Sequence, residues 1–339
     1  MAPVPLAAGY DEDHEAFRDS VRRFVASSVM PRLEDFRAAG AFPRELIAEL
    51  GEQGFLGTSI PEALGGGGAD PRFDAVLLQE IMRVGAVGLA QTLAGHLGIG
   101  AAALTARPED SRLLDSLISG TGLIVPAWLD DDGHASGVPG ASEAVAFVVV
   151  RGDGFAVVDA SRVEVRPIAR ALGGCDASAA DLTVDLARIT FDGAAGSLLA
   201  TADLWAAVLS VAGAWSAVTL TVEYVNARKV FGQPVSSFEN TRHRLAEVGS
   251  QISVAEVFTE RCLDAATAGQ LTREQAAIAR LVSGDAHDRA VDQGMQLHGG
   301  YGYMREYAIS TAFSDARFLR LAAAATGDPR PILANAVGL

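Results

Sequence analysis

Positive charge is in short supply in this 339-residue chain: 27 lysines and arginines face 42 aspartates and glutamates, for a formal net charge of −15. An acidic surface argues against nucleic acid or an anionic membrane as the main partner. Cysteine is nearly absent, with Cys175 and Cys262 alone. These two give neither a disulfide framework nor the ligand spacing of a metal site, and they fit a reducing cytoplasm. The opening residues Met1-Ala2-Pro3-Val4-Pro5 lack the basic-then-apolar order of a secretion signal. Apolar runs such as 206–209 are short and broken by polar residues, so no membrane span is expected. No internal repeat or low-complexity linker is evident.

What is present is a globular composition, with 49% apolar residues, and enough length for two or three domains. Residues 10–120 read as helices, with Phe17, Val21, Phe24 and Val25 at helical spacing. A break at Phe42-Pro43 precedes an amphipathic segment over 44–51. The four glycines 65–68 make residues 59–68 a loop. Helical pattern resumes over 74–104. From Gly120-Thr121-Gly122 the character changes to apolar, β-branched runs at 123–128, 145–150, 155–158, 163–165 and 182–189. Turn sequences such as Asp131-Asp132-Gly133 and Gly152-Asp153-Gly154 separate them, which predicts a small, mostly antiparallel β domain. The Asp130-Asp131-Asp132 run reads as a solvated turn rather than a cation site, because no further spaced ligands follow.

From residue 200 the pattern is helical again. Leu204, Val208, Val211, Trp215, Val218, Val222 and Val225 alternate steps of four and three, the seam of a long helix. Further helices are expected from Leu245 past Cys262, over 275–297 and over 310–325. The fold class is therefore α+β: an N-terminal helical domain (1–120), a small β domain (121–195) and a C-terminal helical bundle (196–339).

Three segments carry chemistry. Tyr224-Val225-Asn226-Ala227-Arg228-Lys229-Val230-Phe231-Gly232-Gln233-Pro234 ends the long helix. A guanidinium such as that of Arg228 suits a pyrophosphate, because its planar fork pairs two oxygens at once. Read alone, Arg228 is an ordinary surface ion-pair partner and Phe231 ordinary core. The second segment contains Gln296, His298, Gly299, Gly300 and Tyr301-Gly302-Tyr303. Glycines there let backbone approach a ligand, and Gln296 can offer an amide. His298 has no nameable carboxylate partner, so packing or a structural hydrogen bond is its expected role. Asp315-Ala316-Arg317 follows.

In this order, and together with Gly54-Phe55-Leu56-Gly57 and Ile60-Pro61-Glu62 near the N-terminus, these motifs resemble the acyl-CoA dehydrogenase family along nearly the whole chain. The resemblance implies FAD as cofactor and an acyl-CoA substrate. It also implies that Arg228, Phe231, Gln296, Gly299 and Gly300 reach the flavin of a neighbouring subunit.

The reaction of that family needs a glutamate to take the α-proton while a hydride leaves the β-carbon. The two positions that supply it are matched here by Ala323, 23 residues after Gly300, and Ala202. Asp203 is the alternative base, although one residue along a helix turns a side chain by about 100°. The family's flavin-cradling β segments are replaced, one by Pro126-Ala127-Trp128-Leu129-Asp130. Glu239 stands where a glutamine is usual, and a carboxylate there would repel a pyrophosphate. The chain thus resembles the short, base-lacking subunits of heterotetrameric acyl-CoA dehydrogenases, some of which act on steroid side-chain thioesters. A homologous partner subunit would carry the glutamate, and a vacated pocket here would leave room for a bulky acyl group. A self-sufficient homo-oligomer using Asp203 and a flavin-free scaffold are the alternatives.

Overall fold

The computed structural model describes residues 9–168 and 171–339. The reading of residues 1–5 lies outside them. The N-terminal part comprises α1 (Glu12–Phe24), α2 (Leu33–Ala39), α3 (Glu45–Glu52), α4 (Arg72–Arg83), α5 (Val87–Ala94), α6 (Ala101–Thr105) and α7 (Ser111–Ser119). Asp11 caps α1 by accepting from the backbone N–H groups of Asp13 and His14. The helical pattern over 74–104 is divided after α4, where Gly85 takes φ +79°. Between α5 and α6 the chain widens into a π-helical stretch, Gly95–Gly100. It holds three glycines and brings backbone close to neighbouring side chains.

The strands are β1 (Leu123–Trp128), β2 (His134–Pro139), β3 (Ala144–Arg151), β4 (Gly154–Asp159), β5 (Val163–Pro167), β6 (Ala179–Val184) and β7 (Gly193–Ala194). They form two sheets, ordered β1-β3-β4-β7 and β2-β6-β5. All pairings are antiparallel except β1 with β3. β3 reads as an unbroken apolar run because both its faces are covered. Phe147 and Val149 face the second sheet, whereas Ala146, Val148 and Val150 pack against Ile99, Leu104, Leu117 and Leu198. The 182–189 run is a strand only to Val184. Asp185 then accepts from the Ala187 N–H and turns the chain. β2, which has few β-branched residues, was not foreseen; β6 recruits it through Ala135↔Leu182 and Val138↔Ala180.

The C-terminal part is α8 (Gly196–Ala227), the hairpin β8 (Lys229–Val230) and β9 (Gln233–Pro234), then α9 (Glu239–Thr267), α10 (Arg273–His298), α11 (Ala308–Ala324) and α12 (Arg330–Ala336). Helix α8 is the axis of the molecule. Its first half packs with the N-terminal helices through Leu204, Trp205, Val208 and Leu209. Its second half packs with α9, α10 and α11 through Val211, Ala214, Ala217 and Val218. Contact on several sides explains why it is apolar nearly all round. It also corrects the expectation about spans. Residues 196–227 are long and apolar enough to cross a bilayer by length and composition, as is the stretch 87–105. Both are instead mostly buried within the protein.

Candidate functional site

At the end of α8, Arg228 leaves the helical conformation (φ −75°, ψ 125°) and starts the β8–β9 hairpin. Lys229 pairs with Pro234 and Val230 with Gln233, leaving Phe231-Gly232 as a two-residue turn. Their φ values, +51° and +82°, are those of a type I′ turn, in which asparagine and glycine are favoured. Phe231 is the one non-glycine residue with positive φ among the described residues, and it is 94% exposed. It is not core. It is a large apolar side chain in a strained conformation that nothing in the chain's own packing covers.

The Arg228 guanidinium has no carboxylate partner among the described residues. Its Cζ lies over the Tyr301 ring, 5.2 Å from the centroid. Tyr301 follows the Gly299-Gly300 turn at the end of α10, so the structure joins two motifs lying some seventy residues apart in sequence. Gly299 adopts φ +60° and ψ −138°, open only to glycine. A β-carbon at Gly300 would meet nothing within 4 Å, so the chain's own packing does not demand glycine there. Gln296, Gly299 and Gly300 are all exposed. His298 is buried and stacks on Tyr224 at 4.0 Å. Its Nδ1–H donates to the Gly294 carbonyl (2.7 Å), while the Tyr224 hydroxyl donates to the His298 carbonyl (3.2 Å). Burial holds its pKa down. Its place is structural. Glu239 opens α9 with its side chain 85% exposed, 3.8 Å from His243 Nε2.

The second half of the site is a cavity of about 40 Å³. Ala202 and Ala323 both line it, together with Gln91, Pro126, Trp128, Trp205 and Thr326. Pockets for drug-sized ligands measure roughly 300–1,000 Å³. Trp205, one helical turn beyond Ala202, lies against Gly98 of the π-helical stretch. The cavity shared by Ala202 and Ala323 therefore lacks the room expected of a vacated pocket; Trp128 and Trp205 line it. Asp203 does not line this cavity. It is 1% exposed and accepts from Arg273 Nη1 (2.7 Å) and Arg280 Nη1 (2.9 Å). Two guanidiniums occupy its oxygens, which makes it a structural ion-pair partner rather than a base.

Ala323 also lines a larger cavity of about 560 Å³ between α8, α10, α11 and the start of α12. Its arginines are already neutralised: Arg280 by Asp203, Arg320 by Asp285 and Asp288, and Arg330 by Asp328.

Comparison with known proteins decides the family. Residues 11–117 match the model of the acyl-CoA dehydrogenase N-terminal domain, and residues 195–328 that of the acyl-CoA dehydrogenase C-terminal domain. The chain belongs to the acyl-CoA dehydrogenase family. Among its relatives is the probable acyl-CoA dehydrogenase YngJ of Bacillus subtilis, 26% identical, with 96% of this chain and 97% of the relative covered. The rat mitochondrial long-chain specific acyl-CoA dehydrogenase is also 26% identical, over 94% of this chain and 84% of that protein. The solved acyl-CoA dehydrogenase of Geobacillus kaustophilus shares the fold at a TM-score of 0.88 and 24% identity, covering 98% of this chain and 100% of that one. The family consists of FAD-dependent oxidoreductases.

Of the residues named from the resemblance, Arg228, Phe231, Gln296, Gly299 and Gly300 are exposed, whereas Ala202 and Ala323 line the small cavity. Sequence reasoning named Arg228, Phe231, Gln296, Gly299 and Gly300 as what the resemblance implies. It missed Trp205 as the plug and Tyr301 as the support of Arg228. The signal for the first was a tryptophan three residues from Ala202 in a helix of alanine, valine and leucine.

Proposed function

We propose that this chain is an accessory subunit of a heteromeric FAD-dependent acyl-CoA dehydrogenase. The observation that carries the reading is that both family base positions are alanines facing one cavity of about 40 Å³. Neither can accept a proton, and the space cannot admit an acyl chain beside a flavin ring system. FAD chemistry consists in accepting a hydride from the β-carbon of a CoA thioester. On this reading a homologous partner supplies the glutamate and the acyl pocket, and with them the selectivity for the acyl group, a bulky steroid side chain included.

This chain's part is to bind and orient. Arg228 offers a guanidinium with no competing carboxylate, suited to the diphosphate bridge. Gly299 and Gly300 leave the backbone open to close approach with no side chain in the way; the Gly299 N–H itself donates to the Gln296 carbonyl. Phe231 offers an apolar face. These groups fit a flavin held mainly by a neighbour; the interior of this chain does not fit one. The ion pairs of Asp203 speak against a self-sufficient enzyme using that residue.

The test is the absorbance spectrum and native mass of the chain purified alone, then co-expressed with a glutamate-bearing homologue. Colourless protein alone that becomes a yellow mixed oligomer supports the reading. A yellow homo-oligomer that oxidises acyl-CoA unaided overturns it, and material that stays flavin-free with the partner favours a scaffold. In the mixed oligomer, Arg228→Ala lowers flavin content.

A further inference from the structure

The geometry points to Tyr301 as a positioning residue that holds the Arg228 guanidinium in place for a diphosphate. The inference rests on the flavin-lending reading above. An exposed arginine at a helix end samples many rotamers, and ordering it on ligand binding costs free energy. Here the ring of Tyr301 lies beneath the guanidinium at 5.2 Å. A ring contact of this kind uses none of the cation's N–H donors as hydrogen bonds and leaves them free for paired oxygens.

Tyr301 is itself held. It packs on Tyr307 with centroids 5.2 Å apart, and Tyr307 meets Tyr224 and His298 edge-on at 5.9 and 6.1 Å. Tyr224 and His298 are stacked and joined by the hydroxyl-to-carbonyl hydrogen bond. Tyr224 belongs to α8, one turn before Arg228, and His298 ends α10 just before Gly299. The aromatic cluster therefore locks the arginine and the glycine turn into one unit before any ligand arrives. Tyr301 acts through Arg228.

The test is FAD titration, followed by flavin fluorescence, into the flavin-stripped complex of this chain with its glutamate-bearing partner. Four versions are compared: Tyr301→Phe, Tyr301→Leu, Arg228→Ala and the double variant Tyr301→Leu/Arg228→Ala. Tyr301→Phe keeps the ring and holds affinity within about twofold, whereas Tyr301→Leu weakens it about five- to tenfold, the size of a partly desolvated cation–π contact. In the Arg228→Ala background, Tyr301→Leu has no further effect. Unchanged affinity in Tyr301→Leu overturns the inference and leaves the functional reading standing. So does an equal loss with and without Arg228, because that marks a merely structural residue. Unchanged affinity in Arg228→Ala sinks both.

Discussion

The indole of Trp205 lies so close to Gly98 that a β-carbon at residue 98 would overlap the ring. This pair closes the interior of the chain. Gly98→Ala forces the indole to move and is expected to destabilise the chain by about 1–3 kcal/mol. Trp205→Ala removes the plug and costs about 3–5 kcal/mol. Urea denaturation measures both. Restoring a carboxylate alone does not restore catalysis: Ala323→Glu leaves the chain unable to oxidise acyl-CoA by itself, since the cavity stays too small. Turnover by that single variant would overturn the closed-cavity argument.

Two buried carboxylates pin the loop between β5 and β6 against helices. Asp176 accepts from the N–H groups of Gly88 and Leu89 at the start of α5, and Asp315 on α11 accepts from Gly174 N–H at 2.7 Å. Burial pushes the Asp315 carboxyl up to about 7, and the charge of Asp176 adds to the shift. A raised carboxyl pKa means that the folded chain binds this proton more tightly than the unfolded one. Its contribution therefore favours folding at low pH and declines as pH rises from about 4 to about 7. Asp315→Asn keeps an acceptor for Gly174 and removes the titration. Denaturation midpoints at pH 5 and 8 should show the wild type losing up to a few kcal/mol relative to the variant. Parallel pH profiles would refute this assignment.

Glu239 departs from the residue that the family resemblance implies on the face proposed to contact a flavin. Its exposed side chain is only loosely tied to His243, so it adds negative charge near the position proposed for a diphosphate. Glu239→Gln is expected to tighten FAD binding by the mixed complex about two- to fivefold, the scale of an exposed charge interaction. The gain shrinks as salt rises. Weaker binding in the variant would show that the carboxylate helps hold the complex together.

The order of helices, strands and helices was legible because hydrophobic period changes from about 3.6 to 2 and back. The seam on α8 was visible because seven apolar residues repeat along it. What was not legible depended on partners distant in sequence. β2 becomes a strand only because β6 lies beside it. The parallel pairing of β1 and β3 follows from β2 leaving for the other sheet. On the site, Arg228 and the glycine turn carried their own chemistry in residue type. The small size of the cavity did not, because Trp205 and Trp128 reach it from separate elements and Trp205 is seated against Gly98 of a third.

The turn at Phe231 sets stability against assembly. An L-residue with a β-carbon in the left-handed region costs about 1–2 kcal/mol, and asparagine tolerates it better than phenylalanine. Nothing in the chain's own packing compensates, since the ring is almost fully exposed. Phe231→Asn is therefore expected to raise the stability of the isolated chain by about 1 kcal/mol while lowering flavin retention and tetramer yield in the mixed complex. Thermal denaturation of the chain alone and native mass of the complex read the two effects separately. If Phe231→Asn stabilised the chain and left the complex and its flavin unchanged, the ring would have no partner and the reading of this hairpin as a lending surface would fail. If it destabilised the isolated chain, Phe231 would be making an intramolecular contact that its exposure does not reveal.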